Sequence, residues 1–137
     1  MAASVYLSQP QVTIAGTDFT AQCQAVSLEL GYDSLEITSF ADSGHLMAPG
    51  LQTVSGSITL YVSYGATEVE GKIADALGDG TTTIVVKKAS GAVAANNPEW
   101  TISNTMINTE PLVWNYGEIQ VMELSFEGGT WVRDVTP

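Results

Sequence analysis

Few residues in this chain have the chemistry for catalysis. The only histidine, His45, lies in "FADSGHLMAPG", with Ser43 two positions before it and Asp42 beside that serine. A nucleophile, a base and an orienting acid are the parts of an acyl-transfer triad, and positions i and i+2 of an extended segment share a face. Against that chemistry, no helix follows the loop to supply an oxyanion hole, and the G-x-S-x-G elbow is absent. One histidine and one cysteine, far apart in sequence, cannot form a structural zinc site. Asp79 in "GDGT" lacks the spacing of a calcium loop, and no phosphate-cradling glycine loop with its lysine occurs. Neither a metal nor any other cofactor is expected, and the chain does not read as an enzyme. Trp100, Trp114 and Trp131 could make a carbohydrate platform; the alternative for tryptophans in a small β domain is core or rim packing. Cys23 has no partner for an internal disulfide and is expected to be a buried thiol.

Composition narrows the classes further. The 137 residues suit one domain spanning 1–137, which can bury roughly 70% of its unfolded surface without disulfide or metal support. Hydrophobic residues make up 45% and charged residues only 14%, against about 25% charged in an average soluble domain. The surface must therefore be built largely of Ser, Thr, Asn, Gln and Gly, which are cheap to desolvate against a partner. Acidic residues outnumber basic ones fifteen to four, for a net charge of −11. Phosphate-gripping surfaces need clustered Lys and Arg; here only Lys72, Lys87, Lys88 and Arg133 exist. Adhesion to nucleic acid or to anionic lipid is thus not expected. No basic start precedes an apolar run, and no stretch approaches the ~18 apolar residues of a membrane span. Residence in a cytoplasm, with no membrane partner, is the expectation.

The elements that must position these residues are mostly strands. In "VSLELGYD" Val26, Leu28, Leu30 and Tyr32 alternate with Ser27, Glu29, Gly31 and Asp33. In "VSGSITLYVSY" Val54, Ile58, Leu60, Val62 and Tyr64 oppose Ser55, Ser57, Thr59, Tyr61 and Ser63. "EIQVMELSF" aligns Met122, Leu124 and Phe126, and 81–88, 100–109 and 112–116 read as further strands. "VYL" (5–7) and "VTIAG" (12–16) are shorter candidates. One segment differs: "TEVEGKIADALGDG" spaces Val69, Ile73, Ala76 and Leu77 as a helical stripe of about three turns. Thr67 and Glu70 predict a capping box, and Gly78 or Gly80 a stop. Gly71 inside the helix costs about 1 kcal/mol relative to Ala. "GAVAANNPEW" (91–100) is expected to be a flexible loop. The fold class is mainly β, a sandwich or barrel with one flanking α-helix.

The stretch 33–62, "DSLEITSFADSGHLMAPGLQTVSGSITLYV", resembles the major tail tube proteins of long-tailed bacteriophages. In that family a strand of the form D-x-(V/L)-(D/E)-(V/I)-T-x-F is followed by a D-(S/T)-G loop, and P-G-L opens the next strand. Asp33, Glu36, Thr38, Phe40, Asp42, Gly44, Pro49, Gly50 and Leu51 occupy those places here. The helix at 68–77, "NPEWTIS" from Asn97, the glycine before "EIQVMELSF" and the closing "WVRDV" follow in the family's order, so the resemblance covers roughly residues 25–135. It departs in the loop, where relatives often carry basic residues and this chain has His45, Leu46 and Met47.

The resemblance implies a virion tail protein, assembled in the host cytoplasm. It implies hexameric rings in which neighbouring strands join into an inner β-barrel, stacked into a tube around a tape-measure protein. Tail tip and tail terminator proteins would be further partners, and DNA would pass through without specific binding. On that reading the polar face of the central hairpin lines the lumen, with Glu29, Asp33, Glu36, Ser55, Ser57 and Thr59 as candidates. The 42–50 loop (Asp42, Ser43, Gly44, His45, Leu46, Met47, Ala48, Pro49, Gly50) touches the next ring or subunit, with Leu46 and Met47 as apolar anchors. Two other readings stay open: a single-ring tail terminator or head–tail connector, and a ligand-binding β module.

Overall fold

The computed structural model describes residues 10–89 and 91–136; the candidate strand at 5–7 lies outside them. The chain runs β1 (Gln11–Ile14), β2 (Thr17–Asp18), β3 (Cys23–Glu36), β4 (Met47–Tyr61), α1 (Val69–Ala76), β5 (Thr82–Lys87), β6 (Glu99–Thr109), β7 (Val121–Glu127) and β8 (Thr130–Asp134). The strands form one eight-stranded sheet in the order β2-β1-β5-β6-β7-β4-β3, with β8 also on β6, and every pair is antiparallel. The mainly β fold, with a single helix among the described residues, is as the sequence indicates.

The sheet is creased along β6. Residues 99–103 of β6 pair with β8, and Met106–Thr109 pair with β7 on the same edge. β7 and β8 are thus one strand broken at a corner. The corner is Gly128–Gly129, both at positive φ (86° and 92°), facing Asn104 at φ 57°. A Cβ on Gly129 would lie 2.2 Å from the Ser103 carbonyl oxygen, so only glycine allows the two backbones to turn together. The crease folds the two halves of the sheet inward on each other. Ile14, Ile84 and Ile102 of one half and Ile58, Leu60, Met122, Leu124 and Phe126 of the other join a single buried cluster. Each fully buried side chain of this kind contributes roughly 1.5–3 kcal/mol. Gln52 ties the halves where they meet: its side-chain amide accepts from the Trp131 N–H (3.0 Å) and donates to the Trp131 carbonyl (3.2 Å).

The helix buries Val69, Ile73 and Ala76 as its spacing predicts, but Leu77 ends outside it, 42% exposed. The expected Thr67–Glu70 capping box does not form. Glu68 is the N-cap and makes no side-chain cap; the free N–H groups go instead to Ser63, whose hydroxyl accepts from Val69 N–H (3.3 Å) and whose carbonyl accepts from Glu70 N–H (3.0 Å). Gly78, at φ 79°, stops the helix and donates to the Ile107 carbonyl. Gly71 has a packing reason: a Cβ there would meet the Gly65 carbonyl oxygen at 2.4 Å.

Two strand expectations fail. Residues 112–116 are not a strand but part of an irregular segment, 110–120, that leaves Val113, Trp114, Tyr116 and Ile119 exposed. β4 stops at Tyr61, three residues short of the expected end, and Ser63 bonds the helix instead. The 91–100 loop is better organised than its composition suggests, since the Asn97 side chain, 9% exposed, bonds the backbone of Ala89 and Ala92.

Candidate functional site

β3, β4, β7 and the end of β6 form one half of the sheet, and strand alternation sends their apolar side chains to the core. The opposite face is set by register. Glu29 lies across from Ser55 and Ser55 from Glu127; Ser27 lies across from Ser57 and Ser57 from Ser125. Thr59 stands between Ala25 and Glu123. Apart from Ala25 the face is acid and hydroxyl in these rows, and none of the four strands contains Lys or Arg. Asn108 fastens its margin, donating to Glu127 Oε1 (3.3 Å) and accepting from Ser125 Oγ (3.0 Å).

Of the expected polar-face residues, Glu29, Ser55, Ser57 and Thr59 are brought together. Asp33 follows on the same side by alternation, at the bulge between Tyr32 and Ser34 where β4 carries an extra residue. Glu36 is a correction. It is an odd number of residues from Glu29 on a continuous strand, so it faces the other way, and its Oε1 accepts from Nδ1 of His45 at 2.8 Å. Glu123, Ser125 and Glu127 complete the face and escaped the sequence reading; "MELSFE" shows their alternation, but only the β4–β7 register shows which face they join.

β3 and β4 run on past the core as an arm. Leu35, Ile37, Phe40, Leu46, Met47 and Leu51 along it are all exposed. The expected 42–50 loop is shorter than drawn. Met47, Ala48, Pro49 and Gly50 belong to β4, with Met47 opposite Glu36, Ala48 opposite Leu35 and Pro49 opposite Ser34. The connection is closed by side chains on backbone: Asp42 Oδ2 accepts from Ser39 N–H (2.7 Å), and Thr38 Oγ1 accepts from Leu46 N–H (2.9 Å). The Thr and Asp of "ITSFADSG" therefore shape the tip. With Asp42 bonded to Ser39 and His45 to Glu36, neither is bonded to Ser43, and no triad is assembled.

The irregular 110–120 segment carries a second apolar exposure. Trp114 Nε1 donates to the Tyr64 hydroxyl (3.0 Å), which donates to Gln120 Oε1 (2.5 Å). Burial, and then the nearby charge of Glu70, push the Glu110 carboxyl up from its ordinary range; its Oε1 and the Gln120 Nε2 are buried without a hydrogen-bond partner. The tryptophans form no platform. Trp131 packs on the core and edge-on to Tyr32, with ring centroids 5.7 Å apart, while Trp114 is exposed on the irregular segment. Cys23 is half-buried rather than enclosed, and burial raises its thiol pKa. Among the described residues no group of three or more His, Cys, Asp or Glu could hold a metal, and no helix is long and apolar enough to cross a membrane.

The sequence matches no protein-family model and no curated protein. Solved structures do match. A chain of the extended sheath–tube complex of the PVC extracellular contractile injection system aligns with a TM-score of 0.70 at 14% identity, over 97% of this chain and 93% of that one. A chain of the extended sheath/tube terminator of the same system aligns with a TM-score of 0.70 at 14% identity, over 98% and 99%. A chain of the SPP1 tail tube gives 0.66 at 14% identity, over 92% and 77%. At such identities the likeness is one of fold, and the fold is that of tail-tube chains.

Proposed function

We propose that this chain is a structural subunit of a bacteriophage tail tube. It assembles into hexameric rings that stack around a tape-measure protein, between tail tip and tail terminator proteins, in the virion tail. The supporting observation is the acid-and-hydroxyl face of β3, β4 and β7 on a tail-tube fold. Turned inward, Glu29, Asp33, Glu123 and Glu127 with Ser55, Ser57, Ser125 and Thr59 line a bore that offers phosphate no cationic contact. Charges act over about 8–10 Å at ordinary salt, so these carboxylates repel DNA only close to the wall and leave it free to slide during ejection. Closure of the ring uses strand edges, which a lone sheet would otherwise have to protect. The arm, with Leu46 and Met47, reaches the neighbouring subunit or ring.

The match to the sheath/tube terminator chain, equal in TM-score to the sheath–tube match, favours a second reading, a terminator that forms one ring and stops. Negative-stain electron microscopy of the concentrated protein separates the two. Hollow tubes of stacked rings are expected; isolated rings that never stack establish the terminator. Monomers that stay monomeric with tape-measure and tip proteins present overturn both.

A further inference from the structure

The two halves of the creased sheet meet at Gly31 and Tyr32 of β3, which touch Trp131, but stand apart along the earlier residues of that strand. A cleft of about 1130 Å³ opens there, walled by Cys23, Val26, Leu28 and Leu30 of β3 on one side and by Val86 and Trp100 of β5 and β6 on the other. Lys87 and Lys88 stand at it, two of the four basic residues in a chain with fifteen acidic ones. Their ammonium groups bond the carbonyls of Gly91 (2.7 Å) and Asn96 (2.6 Å), which holds both charges in place beside the cleft. An apolar slot with a fixed cationic rim calls for an apolar insert with acidic flanks. The arm has that composition: six exposed large hydrophobic side chains from Leu35 to Leu51, with Glu36 and Asp42 and no Lys or Arg.

We infer that this cleft is the socket for the arm of a second copy of the chain. The inference rests on the tail-tube reading and names the surface that the arm engages. A chain cannot fill its own socket, because β3 forms both the cleft wall and the arm. Its 14 residues at about 3.3 Å each hold the arm's tip some 40 Å from Cys23. The contact is therefore heterologous, arm of one copy into cleft of the next, and such contacts propagate into rings or filaments instead of closing as a pair. The lysines orient the arriving acidic arm, and the buried apolar anchors hold it.

Cys23, the free thiol lining the cleft, makes the test direct. Leu46→Cys places a second thiol on the arm, and polymer collected by sedimentation is treated with a short bismaleimide. The expected result is a ladder of cross-linked multimers on a denaturing gel, reduced at least tenfold when Cys23→Ser is added. Polymers that form normally but show no Cys23-dependent ladder would overturn the socket and leave the tail-tube reading standing; a chain that forms no polymer even with its tip proteins would overturn both. If Cys23 of the monomer is already shielded from maleimide and becomes reactive only when residues 1–9 are deleted, the cleft belongs to the chain's own start and the socket is overturned. A charge exchange gives an independent readout. Lys87→Glu with Lys88→Glu should abolish sedimentable polymer, and adding Glu36→Lys should restore it. Polymerisation unchanged by the first pair overturns the charge match.

Discussion

Single residues in this chain are held to their identities by contacts that local rules do not see. Gly71 is the clearest. Helix propensity favours Ala there by about 1 kcal/mol, yet a Cβ would come within 2.4 Å of the Gly65 carbonyl oxygen, and overpacking of that kind costs about 1–3 kcal/mol. Gly71→Ala is therefore expected to destabilise, by about 1 kcal/mol net, read as a lower urea midpoint; a higher midpoint would mean that the turn before the helix yields. Glu110 has the opposite character, a carboxyl penalised in the folded state. Because burial and Glu70 raise its pKa, the folded chain holds that proton more tightly than the unfolded one. Its contribution is fully present below the ordinary glutamate range and is lost as pH rises through the raised value. Glu110→Gln is expected to be more stable than the parent at neutral pH and equal to it in acid. A pH-independent gap between their urea midpoints would refute this. Asp18 and Asp79 run the other way. Their pKa values are lowered by hydrogen bonds from Thr20 and Thr81, side chain first and then backbone, so their contribution is lost as pH falls through the lowered values.

Among the elements, the β3–β4 hairpin does two separate things along its length. Its near half alternates cleanly, apolar inward and polar outward, and that half builds the acid-and-hydroxyl face. Its far half has no core beneath it, so the same alternation leaves hydrophobic side chains in solvent. A monomer gains little from Leu46 and Met47, which are 46% and 55% exposed and lie outside the buried core, and their replacement should not touch the fold. Leu46→Asp with Met47→Asp is expected to leave the melting temperature within a degree or two of the parent, since surface changes stay within about 0.5 kcal/mol, and to abolish tube formation in electron micrographs. Normal tubes from this variant would remove the arm from the assembly contact. The helix shows a related dependence on what lies outside it: Ser63, five residues before Glu68, supplies the hydroxyl that the expected capping box would have provided.

For the whole molecule, charge distribution carries the functional consequence. A net charge of −11 is gathered in part on a face whose strands hold no Lys or Arg, while Lys87 and Lys88 sit at the cleft. Replacing Glu29, Glu123 and Glu127 with Lys is expected to leave assembly intact but make the tubes retain duplex DNA, with retention falling steeply as salt is raised. Wild-type tubes should retain none at any salt; equal retention by both would place this face away from the bore. Much of this was legible in the residues themselves. Period-two alternation marks the core strands because a half-buried strand must alternate, and the helical stripe of Val69, Ile73 and Ala76 reads directly for the same kind of reason. The Asp–Thr–Phe–Asp–Gly spacing of 33–44 belongs to the hairpin and its tip because Thr38 and Asp42 bond backbone only a few residues away. What depends on partners distant in sequence was decided by tertiary structure alone. The crease at Asn104 and Gly128–Gly129, the addition of Glu123 and Glu127 to the face of Glu29, and the turning of Glu36 to His45 all rest on register between strands. The apolar run at 112–116 has the composition of a strand yet pairs with none. Local patterning settles which residues alternate; only the pairing of distant strands settles which faces they share and where the sheet leaves a cleft.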